Sequence, residues 1–126
     1  MTNEELVQKQ LLFFNETVEF YSKDPKNLRA FKNNRCVYCP TETSPGCAIG
    51  RHVEDKEFLA QNEGTSVHGL FDVLPDRDLK ELGRNFLQRV QRIHDAHEYW
   101  DETGLTELGK KGVREVIKLI NQNYYI

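Results

Sequence analysis

The stretch that decides the fold is residues 36–50, which read CVYCPTETSPGCAIG and contain all three cysteines of the chain. Apolar runs flank the segment from Pro40 to Gly46, whose prolines, glycine and hydroxyl side chains are typical of a turn. Two apolar runs around such a turn predict a β-hairpin with strands near residues 35–39 and 46–53, so that the three thiols come together. Because an isolated two-stranded hairpin is marginally stable in water, we expect it to pack on a helix.

Helical patterns lie on both sides of this hairpin. Thr2 and Glu5 form a capping box at the start of a first helix, which ends before Pro25 because the residue before a proline avoids the helical conformation. A longer helix is predicted from Asp76 to about Tyr99, with Asp76 as its N-cap. A last helix follows a glycine break and carries apolar residues to the C terminus.

Apolar side chains recur every three or four residues along these helices and identify the candidate core. The predicted core residues are Val7, Leu11, Phe14, Val18, Tyr38, Ile49, Leu82, Phe86, Val90, Ile93, Trp100, Val116 and Ile120. A chain of 126 residues is of the size that buries one such core. We therefore predict a single domain over residues 1–126, of fold class α+β and mainly helical, with three main helices packed around one β-hairpin.

Composition and charge exclude several classes of protein. The formal net charge of −3 gives no general attraction to phosphate backbones, so nucleic acid is not an expected partner. The first residues lack the basic start and apolar core of a secretory signal, and no apolar run is long enough to cross a membrane. We expect a cytoplasmic protein, in which three cysteines are free thiols or metal ligands rather than disulfides.

The first candidate site is a zinc centre built on the cysteines. Cys36 and Cys39 have the spacing of a zinc knuckle, and Cys47 on the returning strand would supply a third thiolate. His52 would complete a tetrahedral set, with His68 as the alternative fourth ligand. Residues five apart on a regular strand point to opposite faces, so Cys47 and His52 converge only across a bulge or turn. The competing interpretation, which we favour, is that the cysteines are small buried hydrophobes and no cofactor is bound.

The second candidate site lies near the end of the long predicted helix. His94, His97 and Glu98 are spaced to share one helix face, which suits a divalent metal or acid–base catalysis. The His94-Asp95 pair also resembles the motif of metal-dependent phosphohydrolases of the HD type, which need a further upstream histidine and a later aspartate. In the structural alternative, His97 extends the apolar stripe into the core and His94 bonds a carbonyl or Asp95 at the helix C terminus. We favour the structural alternative and a protein that is not an enzyme.

The third candidate site is a ligand pocket where the hairpin meets the long helix. Its predicted residues are Arg35, Tyr38, Arg51, Arg89 and Arg92, because arginine forks beside an aromatic ring suit phosphorylated nucleotides. In the alternative interpretation the helical arginines form a solvated face and pair with acidic neighbours on the same helix. The sequence contains no phosphate-binding GxxxxGK[ST] loop, no dinucleotide-type glycine run and no nucleophile elbow.

A family resemblance is carried by Cys36-Val37-Tyr38, Gly46-Cys47-Ala48-Ile49-Gly50-Arg51, Asn62-Glu63-Gly64, Leu87-Gln88, Ile93-His94-Asp95 and Trp100. In this order these residues resemble a family of small uncharacterised proteins of tailed phages and prophages. Cys39 departs from the family, which usually has a basic or polar residue there. The resemblance implies no activity; it implies a compact accessory protein made in the host cytoplasm.

From size, charge and this resemblance we expect a non-enzymatic phage accessory protein that acts by binding. It would counter host defence by capturing a host protein or a small nucleotide signal. The alternatives are a zinc-stabilised protein-interaction domain and a metal-dependent phosphohydrolase. A homo-oligomer is also left open, since Phe13, Phe20, Tyr124 and Tyr125 would cover either a partner chain or the core of the monomer.

Overall fold

The computed structural model describes residues 1–28, 31–32, 35–36, 48–63 and 67–126. The fold is α+β and mainly helical, as the sequence predicts. The strands of the described ranges form two short antiparallel pairs, whereas the helices carry most of the buried apolar residues.

Helix α1 spans Asn3–Ser22 and begins where the capping box predicts. The Thr2 hydroxyl accepts a hydrogen bond from the backbone N–H of Glu5 at 3.1 Å. Phe14 and Tyr21 on the inner face of α1 are completely buried. The side-chain amide of Gln10, also on this face, donates to the carbonyl of Leu82 at 2.9 Å and so ties α1 to the middle of the chain.

The strand pairing differs from the predicted hairpin. After the short helix α2, Pro25–Leu28, strand β1 (Phe31–Lys32) pairs antiparallel with strand β2 (Arg35–Cys36). Strand β2 falls at the start of the first predicted strand, but its partner precedes it in the chain. Residues 37–47, which include the predicted turn, lie outside the described ranges.

The predicted returning strand over residues 46–53 is wrong in its described part. Gly50–His52 form a 3₁₀-helix instead. The physical reason is that this segment packs into the protein interior: Ile49 is completely buried, and its backbone N–H donates to the side chain of Gln91 at 3.3 Å. The side chain of Gln91 therefore accepts the hydrogen bond from Ile49 that a neighbouring strand would accept in a hairpin.

Between this segment and the C-terminal half lie two short helices, α3 (Lys56–Gln61) and α4 (Val67–Phe71). Helix α3 begins at an aspartate cap, because the Asp55 side chain accepts the backbone N–H of Phe58 at 3.0 Å. Helix α4 packs against the longer helix formed by Arg84–Asp95.

The single helix predicted from Asp76 to about Tyr99 is wrong, because the structure divides it. Helix α5 spans Arg77–Glu81 and helix α6 spans Arg84–Asp95, with Gly83 between them at a φ of 99°. Glycine adopts this conformation without the steric cost that a side chain would add. The bend at Gly83 leaves apolar side chains on both sides of it buried.

The C-terminal part contains a second strand pair that the sequence did not predict. A 3₁₀-turn at His97–Tyr99 leads into β3 (Trp100–Asp101), which pairs antiparallel with β4 (Gly104–Leu105). The last predicted helix is confirmed as α7, Glu107–Asn121, which begins at a threonine cap.

The core occupies the space between α1, α6, α7 and the segment after residue 47. Predicted core residues confirmed as buried are Val7, Phe14, Ile49, Leu82, Phe86, Val90, Ile93, Trp100, Val116 and Ile120. Leu11 and Val18 are only partly buried, and Tyr38 lies outside the described ranges. Within the described ranges, no helix has both the length and the apolar character needed to span a membrane.

Candidate functional site

A polar network lies in the interior on helix α6. Nδ1 of His94 is 2.9 Å from Oδ1 of Asp95, and Nε2 of Gln91 donates to the same oxygen at 2.9 Å. Oε1 of Gln91 accepts the backbone N–H of Ile49. The ring of Tyr21 packs edge-on against the His94 imidazole, with 4.6 Å between ring centroids. The network therefore connects α1, α6 and the buried segment that follows the cysteines.

His94, His97 and Glu98 do not share one helix face as predicted, so the catalytic candidates His94, Asp95 and His97 are divided between two elements. Helix α6 ends at Asp95, and His97 lies in the following 3₁₀-turn with an exposed side chain. The prediction that His97 continues the apolar stripe into the core is therefore wrong. His94 is buried instead, and its contact with Asp95 agrees with the structural alternative.

The zinc hypothesis depends on residues that the structure describes only in part. Cys39 and Cys47 lie outside the described ranges, Cys36 lies on β2, and His68 lies on α4. Among the residues that are described, no group of three or more histidine, cysteine, aspartate and glutamate side chains is arranged to hold a metal ion. Zinc binding by the cysteines therefore stays a prediction.

His52, the predicted fourth zinc ligand, lies next to helix α1. Its ring centroid is 4.6 Å from that of Phe13, and its Nε2 is 3.7 Å from Oε1 of Glu16. Burial, followed by the positive charge of Arg51, lowers the pKa of His52 from 6.5 to about 4. The imidazole is therefore neutral at pH 7.

Arg51, a predicted ligand residue, also lies against helix α1. Its guanidinium carbon is 4.0 Å from the ring centroid of Phe20, and its terminal nitrogen pairs with the carboxylate of Glu16. The cation is thus held between an aromatic ring and a carboxylate, an arrangement that stabilises the attachment of residues 50–52 to α1.

A cleft of about 560 Å³ lies between α6 and the C-terminal residues, and we call it the C-terminal cleft. Its lining residues are Asn85, Gln88, Arg89, Arg92, Leu119, Tyr124 and Tyr125. Of the five predicted ligand residues, the structure brings Arg89 and Arg92 together here, against the C-terminal residues and not against the predicted hairpin. Arg51 lies in the 3₁₀-helix and packs against α1, Arg35 lies on β2, and Tyr38 lies outside the described ranges.

The polar wall of the C-terminal cleft is one face of helix α6. Asn85, Gln88, Arg89 and Arg92 lie at spacings of three, one and three residues, which place them side by side on a helix. The opposite face of α6 is buried in the core. The amphipathic pattern of this helix therefore both anchors it and presents amide and guanidinium groups to the cleft.

The aromatic wall of the cleft depends on a chain reversal after α7. Asn123 has a φ of 60°, and the backbone N–H of Tyr124 donates to the carbonyl of Leu119 at 3.0 Å, a pattern typical of helix C-terminal capping. The reversed chain places the ring of Tyr125 edge-on to Phe86, with 5.8 Å between centroids. Tyr124 packs edge-on against Tyr125 at 5.0 Å and remains 66% exposed.

Tyr125 and Arg89 interact directly within the cleft. Burial raises the pKa of the Tyr125 phenol, while the charge of Arg89 and a hydrogen bond from it act in the opposite direction. The phenol is therefore uncharged at neutral pH, so the tyrosine leaves the positive charge of the cleft intact.

A second cleft, of about 580 Å³, has the opposite electrostatic character. Its lining residues are Phe13, His52, Glu54, Asp55, Pro75, Asp76, Arg77, Asp78, Leu79 and Leu82. Four carboxylates face one guanidinium there, and the imidazole of His52 is uncharged at pH 7. An anionic ligand is repelled from this acidic cleft and attracted to the C-terminal cleft.

Sequence reasoning missed the residues that complete the C-terminal cleft. Asn85 and Gln88 belong to the polar stripe that also contains the two arginines, so helical spacing is the signal that identifies them. The sequence indicates Tyr124 and Tyr125 only as apolar cover. Their place in the cleft follows from the reversal at Asn123. An asparagine just after a helix signals such a reversal, but it does not say against which element the reversed chain packs.

Comparison with known proteins identifies no matching family model, no matching curated protein and no matching solved structure.

Proposed function

We propose that this protein acts by binding and that its C-terminal cleft captures a small phosphorylated nucleotide. The observation that carries the proposal is the presence of two guanidinium groups and two tyrosine rings in the lining of one cleft. A phosphate is recognised by guanidinium forks, and a nucleobase is held by an aromatic face. The cleft is also within the usual size range of small-molecule sites.

The lining supports capture rather than chemical turnover. Its described side chains are amides, guanidinium groups, tyrosines and a leucine, which bind and orient a ligand. Of these, Tyr125 is the natural candidate for proton transfer, and the raised pKa of its phenol disfavours a role as a base at neutral pH. A site with these groups retains its ligand unchanged.

The proposed biological role is that of a phage accessory protein in the host cytoplasm. One molecule of such a protein removes one molecule of a nucleotide signal, and so blocks a host defence that depends on that signal. This role is supported by the phage-type sequence resemblance together with the charge of the cleft. Capture of a host protein is the alternative target, and a pull-down from host lysate distinguishes the two.

Isothermal titration calorimetry of the purified protein with a panel of mononucleotides and cyclic nucleotides tests the proposal. We expect at least one nucleotide to bind, and Arg92→Ala to weaken its binding by roughly tenfold, because a charged hydrogen bond is lost. Arg114→Ala, which removes an exposed arginine of α7 outside the cleft, is the matched control and should leave the affinity unchanged. The proposal fails if the panel gives no heat of binding, or if both variants bind like the parent protein.

A further inference from the structure

The order of the groups along the C-terminal cleft gives it a direction. Asn85 and Arg92 are seven residues apart on α6, which corresponds to about 10 Å along a helix axis. The side-chain amides of Asn85 and Gln88 therefore lie towards the N-terminal end of the cleft, and the guanidinium of Arg92 lies towards the C-terminal end. Arg89 is between them.

The tyrosines lie at the amide end of the cleft. The ring of Tyr125 contacts Phe86, and its carbonyl oxygen is 3.5 Å from the position that a Cβ would occupy on Gly83. Both neighbours belong to the start of α6 or to the residue before it. The ring of Tyr124 packs edge-on against Tyr125 and is exposed. The aromatic surface and the amides therefore occupy the same end of the cleft.

We infer that the C-terminal cleft binds an adenine nucleotide in one orientation. The base stacks on Tyr124 between the amides of Asn85 and Gln88, and the phosphate is bound by Arg92. This inference rests on the proposed function and adds the identity of the base and the direction of binding.

The chemistry of the amides selects adenine. A side-chain amide presents one acceptor and a donor group side by side, which matches the N6 amino group and N7 of adenine. On this N7 edge guanine presents two acceptors, N7 and O6, which leave the amide oxygen without a donor. The two adjacent donors on the other edge of guanine suit a carboxylate, and the described lining of this cleft contains none. Arg89, which could contact O6 and N7 of guanine, is engaged by the Tyr125 hydroxyl.

The exposed ring of Tyr124 supplies the stacking surface. Stacking on an aromatic ring holds any base, so it contributes affinity without selecting the base. The amides then select the base, and the arginines attract the phosphate. The three contributions are separable by mutation because they reside on different side chains.

The test measures binding of AMP, GMP and ribose 5-phosphate to four proteins by isothermal titration calorimetry. The parent protein should bind AMP about tenfold more tightly than GMP. The double variant Asn85→Ala/Gln88→Ala should lose this preference while its affinity for ribose 5-phosphate stays unchanged. Arg92→Ala should weaken binding of all three ligands and keep the preference for AMP. Gln8→Ala, an exposed glutamine of α1, is the amide control and should behave like the parent.

The outcomes separate this inference from the proposed function. If AMP and GMP bind equally to the parent, or if the double variant keeps the preference, the assignment of base and orientation is overturned while nucleotide capture stands. If Arg92→Ala abolishes the preference and leaves ribose 5-phosphate binding unchanged, the orientation is reversed and the inference is again overturned. If none of the three ligands binds and the wider nucleotide panel also gives no heat of binding, the proposed function and the inference are both overturned.

Discussion

The backbone N–H of Ile49 donates to Oε1 of Gln91 at 3.3 Å, across 42 residues of sequence. This bond attaches the buried segment that follows the cysteines to the middle of helix α6. Gln91 uses its other amide atom to donate to Asp95, so one side chain satisfies a distant backbone group and a local carboxylate at once. The position of the segment relative to α6 therefore depends on a side chain and not on a β-sheet ladder.

Replacement of Gln91 by leucine should lower the free energy of unfolding by about 1–3 kcal/mol, because the N–H of Ile49 then lacks its acceptor in the interior. Urea denaturation followed by circular dichroism measures the change. Gln8→Leu, at an exposed position of α1, is the matched control and should change stability by less than about 0.5 kcal/mol. Equal stability of the Gln91 variant and the parent would contradict the role assigned to this bond.

Gly109→Ala should destabilise the protein, although alanine is the better helix former. A Cβ at position 109 would lie 2.2 Å from the carbonyl oxygen of Tyr99, which is backbone and cannot simply rotate away. We expect a loss of about 1–3 kcal/mol, as for overpacked core positions. Lys111→Ala, at an exposed site on the same helix, is the control and should be nearly neutral. A thermal midpoint of Gly109→Ala at or above that of the parent would show that α7 can move away from Tyr99.

Asn123→Val should destabilise the chain reversal that builds the aromatic wall of the C-terminal cleft. The φ of 60° at Asn123 costs a β-branched residue about 1–2 kcal/mol, whereas glycine accepts it freely. We expect the valine variant to lose stability and to bind nucleotide more weakly than Asn123→Gly. Thermal unfolding and calorimetry of the two variants make the comparison, and equal affinities would mean that the tyrosines keep their places without the turn.

The stability of the protein should fall as the pH is lowered from 6.5 towards 4. Burial lowers the pKa of His52 from 6.5 to about 4, so between these values the unfolded chain binds more protons at this imidazole than the folded protein does. The free energy of unfolding therefore increases with pH across this window, and the contribution of His52 to stability disappears as the pH falls towards 4. Urea denaturation in the presence of EDTA should show a shallower pH dependence for His52→Asn than for the parent. Parallel profiles would remove His52 as the cause.

Elemental analysis decides the zinc hypothesis. If Cys36, Cys39, Cys47 and His52 form a structural site, protein purified without chelator should contain close to one equivalent of zinc, and Cys39→Ser should lower it. Less than about a tenth of an equivalent would exclude a structural site, which stays nearly fully occupied. The contacts of His52 with Phe13 and Glu16 compete with such a role, because a ligand imidazole would have to turn away from them.

The C-terminal cleft was only half predictable. The sequence places Arg89 and Arg92 near each other because helical spacing is a local property, but it predicts the hairpin, and not the C-terminal tyrosines, as their neighbour. Tyr124 joins them in space through a reversal at Asn123, a residue that adopts a positive φ only in some contexts. His97 shows the same limit: its spacing fits the apolar stripe of α6, but the helix ends at Asp95 and leaves its side chain exposed.

The amino-acid sequence by itself determined the mainly helical α+β class, the start of α1 and most of the core, since caps and apolar periodicity act over a few neighbouring residues. The tertiary structure alone decided which strands pair, where the long helix divides, and which side chains share a cleft. Segment 48–53 illustrates the difference, because its apolar residues fit a strand equally well until Gln91 offers an acceptor for Ile49 from a distant helix. Where two local conformations are close in free energy, a long-range contact selects between them.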